Sequence, residues 1–246
     1  MILCLDAGNT RLKWGLRDGA SWLRQEALDY AVLASLASRL PQRPTQIVAC
    51  NVAGETIARS IEALAGELGV PLRWLTSSAA ACGVSNGYAR PTQLGADRWA
   101  ALIGARGQPS VRTRSATIVV IAGTATTIDQ LDANGHFRGG LILPGLRLMR
   151  AALARDTANL PVAQGRYREI PDNTDDAIVS GTLHATLGAI ERMRSALDAS
   201  ATVLLSGGAA AELAPHIPLP CHSVENLVLD GLAQYALHCA PGVSHH

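Results

Sequence analysis

Two short turns in this chain place glycine among hydroxyl and amide side chains directly after an apolar strand. The first is Asp6-Ala7-Gly8-Asn9-Thr10, continued by Arg11, Leu12 and Lys13. The second is Gly123-Thr124-Ala125-Thr126-Thr127. Glycine lets a backbone come close to a ligand, and successive amides with a threonine hydroxyl can donate to phosphate oxygens. Asp6, at the end of its strand, is where a hydrated Mg²⁺ could be held. These residues could together bind a nucleotide's polyphosphate, and two such turns can clamp one. The pattern G-x-x-x-x-G-K-[ST] is absent, so neither turn is a Walker A loop. An ordinary strand-turn-strand with an exposed Asp uses the same residues.

A third constellation lies in "NGYARPTQLGADRWAALIGA", residues 86–105. Tyr88 and Pro91 fall in a loop, Gly95-Ala96 form a turn, and Asp97-Arg98 open an apolar helix. Asp97 can act as a base toward a substrate hydroxyl and Arg98 as an anion clamp. A helix-dipole partner and a plain surface pair would also account for them. "RGGLILPGLRLM", residues 138–149, could wall a small-molecule pocket or form a tightly packed turn. Ser206-Gly207-Gly208 could let the backbone approach a nucleoside. The seven histidines show no ligand spacing with carboxylates or cysteines, and no Ser or Cys sits in a nucleophile elbow.

Such residues need elements to hold them, and the chain supplies the same set twice. "MILCLD", "AGNTR", "LKWGL" and the hairpin signal Asp18-Gly19 are answered by "TIVVI", "AGTAT", "TIDQL" and Asn134-Gly135. Four matched elements in register point to a duplicated domain. Between the blocks the period is helical. Ile57, Ile61, Leu64 and Leu68 form one apolar stripe, and Leu183, Leu187, Ile190 and Leu197 another. Asn173 or Thr174 is placed to cap the second helix, whose first turn is acidic. "QIVAC" and "TVLLSGGAA" read as buried strands. The expected architecture is α/β, two related halves with a cleft between them. The first spans 1–110 and the second 111–246, joined near "ARGQPSVRTRS".

Composition bounds the partners. The 246 residues are 48% hydrophobic and 17% charged, with a net charge of +1. A chain of this length buries roughly 70–75% of its unfolded surface. The charge balance and the 4% aromatic content give no support to duplex-DNA binding. No apolar run approaches the ~18 residues of a membrane helix. Cys4, Cys50, Cys82, Cys221 and Cys239 are widely spaced and never in C-x-x-C, and four of them sit in or beside apolar runs as small hydrophobes. The N-terminus has no basic n-region and reaches Asp6 too early for a signal peptide. The expected compartment is a reducing cytoplasm.

Taken together, "DAGNTRLKW", "GYARPTQLGADRWAA", "AGTATTID", "GGLILPG", "DNTDDAIVSG" and "LSGGAA" resemble, in order and over nearly the whole chain, the type III pantothenate kinases. The resemblance implies duplicated ribonuclease-H-like domains of the actin/hexokinase-like superfamily. It also implies ATP-dependent phosphorylation of pantothenate, the first step toward coenzyme A, by a homodimer whose pantothenate pocket is completed across the interface. Carried over by position, Asp6 to Lys13 form the first phosphate loop, with Asp6 holding Mg²⁺ through water. Thr124 is the ATP contact of the second. Tyr88, Gly95, Ala96, Asp97 and Arg98 line the pantothenate pocket with Asp97 as base, and Thr174 reaches the substrate from its helix. Many members have an Asp where this chain has Ile121, and that Asp binds a monovalent cation, K⁺ or NH₄⁺. An alkyl side chain cannot do so, and Asp129 on the next strand is the nearest substitute. The expectation is a kinase with altered cation dependence. Some proteins of this family are known as Bvg accessory factors. That leaves a second reading, a non-catalytic nucleotide-binding regulator acting through a protein partner in gene expression. A kinase of the same superfamily acting on a sugar or a carboxylate is a third.

Overall fold

The computed structural model describes residues 1–109 and 115–238. Part of the expected linker, Cys239 and the terminal histidines lie outside them. In chain order the strands and α-helices are β1 (Ile2–Ala7), β2 (Leu12–Asp18), β3 (Ser21–Leu28), α1 (Leu36–Arg39), β4 (Gln46–Asn51), α2 (Glu55–Leu68), β5 (Leu72–Trp74), β6 (Ala80–Ala81), β7 (Val84–Asn86) and α3 (Ala96–Arg106). They continue with β8 (Thr117–Ala122), β9 (Ala125–Leu131), β10 (His136–Pro144), α4 (Leu146–Asp156), α5 (Thr174–Leu197), β11 (Thr202–Ser206), α6 (Ala210–Leu213), β12 (Cys221–Ser223) and α7 (Leu227–His238). The chain forms two compact units. One comprises Met1–Pro109 with the residues from Asn226 on, and the other the described residues up to Glu225.

The first unit is built on a sheet ordered β3-β2-β1-β4-β5. β1 runs antiparallel to β2 and parallel to β4. Five strands of the second unit follow the same plan, β10-β9-β8-β11-β12, with β8 antiparallel to β9 and parallel to β11. Strand direction, order and hairpin placement match, as the sequence repeat predicts. The hairpin turns carry the glycines the signals named. Gly19 has φ +52° and Gly135 φ +83°, left-handed conformations that favour glycine.

In the first unit, odd positions of β1 (Leu3, Leu5, Ala7) join Ile47 and Ala49 of β4 in one core, sealed by Ile61 and Leu64 of α2. Even positions put Cys4 and Asp6 on the opposite face, which α7 packs across. In the second unit Ile118, Val120 and Ala122 face Val179, Leu183 and Ile190 of α5. The α5 stripe is therefore the one predicted, and Asn173 is its N-cap, accepting from Asp176 N at 2.9 Å.

One element ends up away from its own repeat. By chain order α7 closes the second repeat, as α3 closes the first, yet it packs within the first unit against α3. Glycines allow the contact. A Cβ on Gly104 would strike the Leu227 carbonyl, and one on Gly231 the Ala100 carbonyl. Trp22 Nε1 and Gln108 Nε2 both donate to Asp230, at 3.0 and 2.9 Å, and latch the helix further. A second domain running from 111 to the C-terminus is the repeat in sequence, whereas the compact unit ends at Glu225.

Candidate active site

Asp6 is the last but one residue of β1 and is buried. Strand register sets Lys13 directly opposite it on β2 and Cys50 opposite it on β4. Lys13 Nζ lies 3.8 Å from Asp6 Oδ2, and Cys50 Sγ donates to Oδ1 at 3.6 Å. Burial holds the Asp6 carboxyl above the usual carboxylate range; Lys13 opposes this and the charge of Asp97 adds to it. Cys50, read from the sequence as a small hydrophobe, is instead a polar neighbour of this carboxylate. Burial, then Asp6, pushes its thiol well up, so it stays a donor. Only the parallel β1–β4 register brings it there, and nothing local in the sequence signals that register.

Beyond Ala7, the turn at Gly8 is partly open, and Asn9, Thr10 and Arg11 are exposed before Leu12 re-enters the core. The turn therefore offers backbone to a ligand while both its ends stay anchored in strands.

α3 begins where the 86–105 stretch predicted. Gly95 is its N-cap and Asp97 sits in the first turn, its Oδ1 accepting from Arg98 N at 2.8 Å. A Cβ on Gly95 would come within 2.6 Å of that carboxylate oxygen, so glycine is what leaves it room. Arg98 is buried, which rules out the plain surface pair. Its Nη1 donates to the Tyr88 hydroxyl at 3.3 Å, and its guanidinium lies 5.9 Å from the Tyr88 ring centroid. Asn86 fixes the loop between them, accepting from Tyr88 N at 3.0 Å and donating to the Pro91 carbonyl at 3.2 Å. Asp6, Lys13, Asp97, Arg98 and Tyr88 thus belong to one unit, with the two carboxylates electrostatically coupled.

The second Gly/Thr turn belongs to the other unit. Thr124 is exposed, and glycines seat the backbone beneath it. A Cβ on Gly145 would strike the Gly123 and Thr124 carbonyls, and Gly145 N donates to Thr124 O at 2.9 Å. Gly207, at φ +100°, lies against Ala122, whose carbonyl accepts from Ala209 N at 3.0 Å. The "PG" and "SGG" stretches are therefore supports of this turn. Thr174 is exposed in the first turn of α5. Residues 164–168 run along that helix, with Gln164 N donating to Asp175, Arg166 N to Asp176 and Arg168 N to Ser180.

The residues fit a hydrated Mg²⁺. Asp6 is a buried carboxylate whose charge has one lysine beside it, and a divalent cation would favour its ionised form. Among the described residues no cluster of three His, Cys, Asp or Glu side chains could hold a metal ion. The alkyl side chain of Ile121 offers no ligand atom to a cation. Ile121 faces Thr127 across the β8–β9 ladder, and Asp129 lies two residues further along the same face, fully buried. No helix among the described residues is long and apolar enough to cross a membrane.

A repeated ribonuclease-H-like plan with a Gly/Thr turn after the first strand of each repeat, and a buried aspartate at the first, is the plan of the actin/hexokinase-like fold. Solved structures agree in fold: a Campylobacter jejuni protein named for a Baf family of transcriptional activators superposes with TM-score 0.63 at 20% identity, covering 96% of this chain and 97% of that one. A ROK hexokinase from Thermus thermophilus gives TM-score 0.52 at 14% identity over 96% and 98% of the two chains. A family model for type III pantothenate kinase matches residues 2–196, and a type III pantothenate kinase of Aromatoleum aromaticum is 51% identical over 96% of this chain and 98% of its own. The chain belongs to the type III pantothenate kinases.

Proposed function

We propose that this kinase transfers a phosphoryl group from ATP to the primary hydroxyl of pantothenate, the first step toward coenzyme A, with Asp97 as general base. The observation that carries the assignment of Asp97 is its place in the first turn of α3, next to buried Arg98 and coupled to the carboxylate of Asp6. Asp97 would accept the hydroxyl proton, a role worth about 10²–10⁴ in rate. Arg98, with Tyr88 fixing its guanidinium, is the clamp for the substrate's carboxylate. Gly95 and Ala96 shape the turn beside it, and Thr174 adds a hydroxyl from α5.

The segment Asp6–Lys13 holds phosphate through backbone amides and the Lys13 ammonium, and Thr124 contributes from the second turn. When bound, Mg²⁺ supplies neutralisation of phosphate charge, and Asp6 is the residue to hold it through water. Phosphoryl transfer depends mainly on such positioning and charge neutralisation. For that reason Ile121 is compatible with catalysis without a cation at that position. A homodimer in the cytoplasm completes the reading. The relative at 51% identity is named as a kinase, which does not favour a non-catalytic regulator, and a regulator would gain nothing from retaining Asp97 beside Arg98.

The experiment is steady-state ATP turnover with and without pantothenate, for wild type and Asp97→Asn. Pantothenate-dependent turnover that falls by about 10²-fold or more in the variant supports the assignment. Turnover that survives the substitution removes Asp97 as base, and no turnover in wild type removes the kinase.

A further inference from the structure

Tyr30 lies outside both turns, at the start of a short 3-10 segment, Tyr30–Ser35, that follows β3. Its hydroxyl donates to the Gly8 carbonyl at 2.5 Å, reaching back 22 positions along the chain. The ring is half-buried and packs on the core that contains Ala7, Leu12 and Leu33. Burial first, then the negative charge of Asp6, pushes its hydroxyl up to about 12, so it remains a donor throughout the neutral range.

A trans peptide carries its C=O and N–H on opposite edges. Holding the Gly8 carbonyl toward Tyr30 therefore turns the Asn9 N–H the other way, and Asn9 is at the exposed side of the turn. Gly8 is the most permissive backbone unit in the segment, so a hold from outside matters most there. We infer that Tyr30 is a positioning residue for the nucleotide, its hydroxyl orienting the Gly8–Asn9 peptide so that the Asn9 amide is aimed at a phosphate oxygen. The inference rests on the kinase reading above. Tyr30 acts through Gly8, so its removal should weaken ATP and leave pantothenate untouched. One neutral hydrogen bond's worth of pre-organisation corresponds to about three- to tenfold in affinity.

Tyr30→Phe keeps the ring and deletes the donor. On the full chain, calorimetric titration with Mg-ATP and with adenosine is combined with steady-state KM for ATP and for pantothenate, and with thermal melting. Expected are a three- to tenfold rise in Kd and KM for ATP, unchanged adenosine affinity, and an unchanged KM for pantothenate. Tyr30→Leu, which also removes the ring's edge, should lose no more ATP affinity than Tyr30→Phe. Equal rises in both KM values, or a lower melting temperature with unaltered ATP affinity, would make Tyr30 merely structural and overturn the inference. A wild type that turns over normally beside an indistinguishable Tyr30→Phe sinks this role alone. A wild type that binds no ATP sinks the kinase reading with it.

Discussion

Lys13 Nζ stands 3.8 Å from Oδ2 of Asp6, on the β2 residue directly opposite it. At that separation the lysine offsets only part of what burial does to the carboxylate, which stays above its ordinary range. A group whose folded-state value is raised contributes stability that is fully present below the ordinary carboxylate value, about 3.9, and is lost as pH rises through the folded value. Ionising Asp6 therefore costs the nucleotide-free protein stability, increasingly as pH rises through the folded value.

Asp6→Asn should raise the melting temperature of the nucleotide-free protein at pH 7, and the gain should shrink as pH falls toward 4. If Asp6 holds Mg²⁺ as proposed, the same substitution should lower turnover by about 10²-fold or more, the loss of several kcal/mol of charge stabilisation. Melting curves between pH 4 and 8, set beside turnover, test both halves. A variant less stable than wild type at pH 7 would mean that Asp6 is adequately compensated by Lys13 and Cys50.

Position 121 makes a second prediction. Turnover should be indifferent to K⁺ and NH₄⁺ from zero to about 100 mM, beyond the general screening effect of salt that Na⁺ reproduces. Ile121→Asp should introduce a response to K⁺. If wild type already needs K⁺, Asp129 and the Thr127 hydroxyl, which share the face of Ile121, become the ligands to substitute next.

Asp176 gives a pH dependence of opposite sign. The Arg166 amide, then the Asn173 side chain, hold its carboxyl below the ordinary range. Stability from it is present above about pH 4 and is lost as pH falls toward the folded value. Asp176→Asn should thus melt lower than wild type at pH 7, with the difference closing in acid. Hydrogen exchange should show the loss at residues 164–168, whose amides lean on α5. Uniform deprotection across the second unit would contradict a local role.

Gly231→Ala tests the α3–α7 contact. A single methyl would meet the Ala100 carbonyl and the Gly104 amide, both on a rigid helix. The expected loss is about 2–4 kcal/mol in a denaturant titration. Gly66→Ala, on the exposed side of α2 with nothing near its Cβ, should be neutral or stabilising and serves as the comparison.

Asp6, Lys13, Asp97, Arg98 and Thr124 were legible because each sits inside a local pattern: a strand end, a Gly turn, a first helical turn. The doubled sheet was legible because its hairpin signals recur in order. Cys50 and Tyr30 were not, since a parallel register and a 22-residue fold-back place them, and neither leaves a periodic trace. The burial of Arg98 was equally hidden, because a charged residue in a first helical turn gives no sign of lying inward. The place of α7 was not legible either, since chain order alone put its residues in the second half, 111–246. Its packing depends on missing side chains at Gly104 and Gly231, and apolar periodicity does not register what is missing.

That displaced helix orders events during synthesis. The strands carrying Asp6 and Lys13 are synthesised well before the helix that covers the Asp6 side of their sheet, with the second unit in between. The nascent first unit must wait, one sheet face uncovered, while the whole second unit is translated. A chain cut before Leu227 therefore lacks the helix that covers the Asp6 side of the first unit's sheet, however complete its strands are.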